Sequence, residues 1–418
     1  MIINYNAIIP QIVSKQDDLL IINECYSCML GMKRNETISK INWHQSEDIS
    51  LSILQIHMIN LLLSMERGKY LEAKSLLNIL VNTTKKESDE RADIINAGIN
   101  DLINANYSQA RDNFYKCLLK YPKDILSFYT CHMIEFNNGM TENMLETLNL
   151  VNQSWDVNDE FYCYFKGIES FILSENGYHE EAHKSASISL SINKLDIYAI
   201  HAICHYFYDK KLFQEGKSWM DSTKEIWSNN YGMRLHLYWH YAIFLIMTSK
   251  EDQVINIYNQ IRQKNNQHGL EDLDASSLLF RLMLICPISK NQENIIDLFE
   301  SWNNKSELGF YFFNDFHAAL AFCISEHFDM IDFLIENTEY SHPIGYFKTK
   351  VTLLLAIKHY GQGNYTEVVS LLDKPMSYKF MGGSHTQRSI IDEILHHSKL
   401  KLGLHDKQTQ YNYDISTY

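Results

Sequence analysis

The sequence predicts an all-α protein that grows by repetition: an α-solenoid of about nine helical hairpins, closed at both ends by helical caps. Three observations predict it. Proline and glycine are scarce, helical segments recur every 34 to 41 residues, and no linker separates them.

The 418 residues hold only 5 prolines and 16 glycines, well under the average of roughly 5% and 7%. A sheet protein would spend more of both on its turns. Low Pro and Gly with abundant Leu, Ile, Asn and Lys points to helices joined by short connections. A chain of this length exceeds one ordinary core, so it must divide or repeat.

The repeat is clearest in NYSQARDNFYKCLLKYPKD, Asn106 to Asp124. Tyr107, Ala110, Phe114, Cys117 and Pro122 stand at the offsets of the second helix of a tetratricopeptide repeat. Ala110 lets two helices approach closely, Phe114 fills the space beside it and Pro122 stops the helix. With Ala110 as anchor, equivalents follow at Ala73, Met144, Ala182, Gly216, Val254, Ile295, Ile331 and Val368. A small residue is expected twelve positions earlier, where the helices cross. Gly98, Ser170, Cys204, Ala242, Ala319 and Ala356 satisfy this, whereas Leu61, His132 and Met283 do not. The expected organisation is a helical cap over 1–45, repeats over 46–380, and a capping helix with a polar tail over 381–418.

The formal net charge is -14 and no basic run opposes it, which argues against a nucleic-acid partner. No apolar stretch reaches membrane-spanning length and no signal peptide is recognisable, so a cytoplasmic protein without a membrane partner is expected. Eight cysteines lie scattered, as reduced core thiols would. The single CxxC at Cys25 and Cys28 lacks a partner pair. Phosphate-loop, dinucleotide and serine-hydrolase strings are absent.

From mid-chain onward the sequence resembles the tetratricopeptide repeat protein 38 family. YFKGIESF (164–171), IHAICH (200–205), HLYWHYA (236–242), DASSLLFRL (274–282), FNDFHA (313–318) and GGSHTQR (382–388) carry the resemblance. It implies a single all-helical repeat architecture and brings no established reaction. The chain departs from the family at Tyr208, where an acidic residue is usual, and at Leu235 and Leu237, which replace Cys and Asn.

The candidate site is a set of histidines. His201 and His205 share one helix face, and His236 and His240 repeat the spacing on the next first helix. His240, Arg281 and His317 each lie fourteen residues before an anchor, so they should form a column along adjacent inner helices. Asp315 and Ser277 lie near it, Trp239 and Tyr238 would wall it, and GGSHTQR with Arg388 and Gln387 would close it. The glycines there should leave backbone N–H groups free for an anion.

Three readings stay open. The histidines pack the stack; they line a pocket for a small polar or anionic ligand or a peptide segment, with Arg281 as charge partner; or they serve an enzyme. The enzyme would use a histidine oriented by Asp315 as general base, or a divalent metal on His201, His205, His236 and His240. The binding reading requires no cofactor, and binding should vary between about pH 5.5 and 7.5.

Overall fold

The computed structural model describes residues 16–44, 50–86, 88–248, 251–262, 269–285, 292–303 and 308–404. The start of the expected N-terminal cap and the polar tail lie outside these. Among the described residues, regular structure is helical, apart from one isolated bridge between Tyr311 and His342. Among the described residues, no helix is long and apolar enough to cross a membrane. The chain divides into two compact units, one running to Tyr206 with Asn229–Met233 added, the other holding Phe207–Ser228 and everything from Arg234.

In the first unit α1 (Gln16–Leu30) and α2 (Glu36–Lys40) precede α3 (Leu51–Leu63), α4 (Arg67–Ser75) and α5 (Leu77–Lys86). Then come α6 (Glu90–Ile103), α7 (Tyr107–Lys120), α8 (Ile125–Asn137), α9 (Thr141–Val151), α10 (Tyr162–Glu175) and α11 (His179–Ile192). α12 (Ile197–Asp209) belongs to this unit up to Tyr206. α6 pairs with α7, α8 with α9 and α10 with α11, while α3 lies against α6 and α8, and α8 against α10. Asp89 and Asp124 start α6 and α8 by accepting the N–H groups of Ala92 and Ser127, each at 2.7 Å, caps worth about 1 kcal/mol each.

The second unit continues with α13 (Phe213–Trp227), α14 (Arg234–Met247), α15 (Glu251–Ile261), α16 (Gly269–Ile285), α17 (Gln292–Asn303) and α18 (Phe312–Ile324). α19 (Phe328–Asn337), α20 (Phe347–Gly361), α21 (Tyr365–Leu372), α22 (His385–Arg388) and α23 (Ile390–Lys401) complete it. α14, α16, α18 and α20 pack in succession, with α15, α17, α19 and α21 as their partners. α23 lies on α16, α20 and α21.

The turn inside a hairpin has one recurring form. Ala105, Gly139, Gly177, Lys211, Glu326 and Gly363 are left-handed, with φ between 56° and 82°. Each is followed by a residue with φ from -91° to -83° and ψ from 57° to 70°, just before the next helix. That second residue donates its N–H back across the helix end, as Asn106 does to Asp101 (2.8 Å) and Leu212 to Phe207 (2.9 Å). This is a Schellman closure, which satisfies the last carbonyls and aims the chain back along the helix it has left.

All nine anchor residues are buried, from Ala73 to Val368. Of the residues twelve earlier, the six small ones are buried and Met283 is not. Small size is needed at Gly98 and at the anchor Gly216. A Cβ on Gly98 would stand 2.6 Å from the Phe114 ring, and one on Gly216 would stand 2.5 Å from Phe244. Each glycine thus lets a neighbouring helix bring a phenyl ring against backbone.

Candidate functional site

In the first unit, α12 buries His201 and His205 on one face, with their Nε2 atoms 2.9 Å apart. The rings meet edge to face, 4.5 Å between centroids. Phe171 of α10 stacks on His201 and presents itself edgewise to His205, each at 5.3 Å. Beside them, His132 of α8 meets the Tyr198 hydroxyl. Burial pulls His132 down to about 3, so it is neutral.

The second unit holds a similar pair one turn apart on α14. His236 and His240 face each other with Nε2 atoms 3.2 Å apart. Here a carboxylate stands behind one ring: Asp274 of α16 accepts from His236 Nδ1 at 3.2 Å, and it is 3% exposed. That bond keeps the proton on Nδ1 and leaves the Nε2 lone pair facing His240. Trp239 has His236 stacked 5.4 Å from its ring and the Arg281 guanidinium at 5.3 Å. Its indole N–H is buried without a hydrogen-bond partner.

Arg281, on α16, is charge-compensated. Its Nε donates to Glu393 of α23 at 3.2 Å, and its other nitrogens reach Ser277, the Thr386 carbonyl and Ser389. The expected role as charge partner for an anion is therefore weakened by Glu393, which already supplies the opposite charge. His317, on α18, is fully buried and donates Nδ1–H to the Phe313 carbonyl at 2.7 Å. Its Nε2 has no partner. Burial lowers it to about 4, so this imidazole keeps its lone pair throughout the expected pH 5.5–7.5 window and does not titrate there.

Asp315, expected to orient a histidine, meets backbone and hydroxyl donors. It accepts from the Gly309 N–H at 2.8 Å and from Ser341. Lys350, pulled down to about 8 by burial, donates to the Ser341 carbonyl beside it. These contacts tie the start of α18 to the loop before α20. Arg388 donates to the carbonyls of Gly382 and Gly383, bracing its own loop. Two of the amides expected to be open there are engaged: Ser384 and Gln387 form a reciprocal capping box, which satisfies the N–H groups of those two residues. Tyr238 packs edgewise on Trp227 at 4.8 Å.

The structure thus gathers His236, Trp239, His240 and Arg281 with Asp274, which sequence reasoning left without a role although it opens the DASSLLFRL string. Glu393 was missed too, because its partner stands 112 residues earlier. No family model matches the chain, and no solved structure matches it.

Proposed function

We propose that this chain is a tetratricopeptide-like helical-repeat protein, akin to the tetratricopeptide repeat protein 38 family, that binds a small polar ligand or a peptide segment through the imidazole- and indole-lined interior of its second unit. The recurring turn supports the repeat reading, as does the anchor being the fourth residue of its helix in α7, α9, α11, α13, α15, α17, α19 and α21.

One observation carries the binding reading. Fourteen residues before the anchors, the first unit places Ile59, Asn96, Thr130, Ile168 and Ala202, none of them ionisable. The second unit places His240, Arg281 and His317 there, with Leu354 at the last anchor, each 1% exposed or less. Stacking needs only small or apolar groups at this position. Buried titratable groups cost free energy unless something polar meets them. Glu393 balances Arg281, so the column offers imidazole and indole nitrogens, which suit a neutral polar group better than an anion.

A second reading, catalysis, is favoured by Asp274 behind His236, since a carboxylate on Nδ1 is how an imidazole is oriented to act as a general base.

Native mass spectrometry of the full-length chain, purified without added ligand, tests the binding reading. A retained mass is expected in the wild type and should be lost in Trp239→Phe and His240→Phe. No retained mass, with both variants melting higher than the wild type, would assign the column to packing alone.

A further inference from the structure

We propose that the histidine pair of each unit, His201 with His205 in the first and His236 with His240 in the second, is a chelating pair for a divalent first-row transition-metal ion of the zinc class. This rests on the reading of the buried histidines as binding groups and adds a metal ion to the ligands they would take.

The first argument is spacing. Two imidazole nitrogens each roughly 2.0–2.1 Å from a zinc ion, at an angle of about 90–110°, stand about 2.9–3.4 Å apart. The Nε2 atoms stand 2.9 Å apart in one pair and 3.2 Å in the other. Each pair is thus already spread as a two-toothed chelate, and an ion would replace the contact between the rings without a change of helix. A lone N–H···N hydrogen bond has the same length, so spacing alone does not separate a ligand pair from a packing pair.

The second argument is the far nitrogen of His236. A metal-bound imidazole characteristically donates its other N–H to a carboxylate, which fixes the tautomer and raises the basicity of the ligating nitrogen. Asp274 accepts from His236 Nδ1 at 3.2 Å and is itself buried. It also places a negative charge beside the point where a 2+ ion would enter a dry interior. Glu393 cannot serve this end, because Arg281 holds it.

The third argument is donor chemistry. Imidazole nitrogens suit zinc, copper, nickel and iron, whereas magnesium and calcium require oxygen. The ring walls are Phe171 on one pair and Trp239 on the other, surfaces that limit competing water.

The test uses the full chain stripped with a chelator and titrated with Zn2+ against a chromophoric competitor, with bound metal counted by mass spectrometry. Zinc uptake is expected, Mg2+ and Ca2+ should not compete, and Co2+ should give visible ligand-field bands. Replacing one pair by glutamine should remove the ion bound at that pair, or weaken its binding at least tenfold, and leave uptake at the other pair unchanged. Asp274→Asn should weaken it roughly 10–100-fold, with the helical circular dichroism unchanged. Failure to take up zinc, nickel or copper in the folded protein would overturn the assignment, as would uptake equal in the glutamine variants. An organic mass still retained by the metal-free protein would leave the binding reading standing; its absence as well would end both.

Discussion

The two units bury charge in different ways, and the difference shows what each asks of its helices. In the first unit the partners are close in sequence. Arg111 of α7 meets Glu135 of α8 at 2.9 Å and Glu146 of α9 at 2.7 Å, and Lys123 reaches Asp159 at 2.8 Å. Such locks join one hairpin to the next, as a stack stabilised between nearest neighbours requires. In the second unit Arg281 binds Glu393, 112 residues on, and the segment after α21 turns back over the inner helices. Tyr311 donates to the Met381 carbonyl at 3.2 Å, and the Phe312 and Phe380 rings stack at 5.8 Å. The unit that buries His240, Arg281 and His317 is the one whose last helix reaches back to α16.

The largest effect should come from breaking that return. Arg281→Met strands Glu393, only 6% exposed, and should cost about 3–5 kcal/mol. Adding Glu393→Met should recover most of the loss, because the cost is the unpaired charge rather than the missing bond. By contrast Lys123→Met in the first unit, where the lysine side chain is 35% exposed, should cost at most about 1 kcal/mol. Urea unfolding of the four proteins measures this. Equal losses for the two single variants, or no recovery in the double, would break the contrast.

Acid provides the next effect and reaches both units. His132 in the first is held at about 3 and His317 in the second at about 4, both by burial. Between those values and the unfolded value of 6.5, the unfolded chain binds more protons than the folded one. Stability contributed by neutral burial is therefore present above about pH 6.5 and is lost as pH falls toward 4. At pH 5 each residue should cost about 2 kcal/mol relative to pH 7. His317→Phe should reduce that loss for the second unit and His132→Phe for the first. Unchanged pH slopes in both variants would mean the rings are not buried neutral.

Much of the hairpin plan was legible because helix crossings restrict residue size. The anchors from Ala110 to Val368 are apolar or small and recur at near-constant spacing, and Phe114 against Gly98 is a contact that sequence offsets alone could propose. The histidine pairs were legible for the same reason, since four residues make one helical turn. What could not be read were partners joined only by folding. Asp274 behind His236 comes from a different helix, and Glu393 under Arg281 comes from the far end of the chain. A single sequence carries periodicity but no cross-helix pairing, so Arg281 looked free for an anion and Asp315 looked free for a histidine. The capping box at Ser384 and Gln387 was written in plain sequence as a Ser followed three residues later by Gln, yet the glycines before it suggested an open anion site instead.

The smallest effect concerns what the units share, the left-handed turn. Three of its six described instances are glycine and three are not: Ala105 in the first unit, Lys211 and Glu326 in the second, at φ of 56°, 58° and 62°. A side chain there costs about 1 kcal/mol or more, while glycine adds unfolded-state entropy worth roughly 0.5–1 kcal/mol. The net for Ala105→Gly, Lys211→Gly or Glu326→Gly should be a gain of a few tenths to about 1 kcal/mol, the same in either unit, read as a rise in urea midpoint. Gly177→Ala is the reverse control. A Cβ there meets nothing within 4 Å, so any loss is backbone strain alone and should be about 1 kcal/mol. If the glycine variants gain in one unit and lose in the other, the turn is held by its surroundings and not by its own closure, and the units share less than their geometry implies.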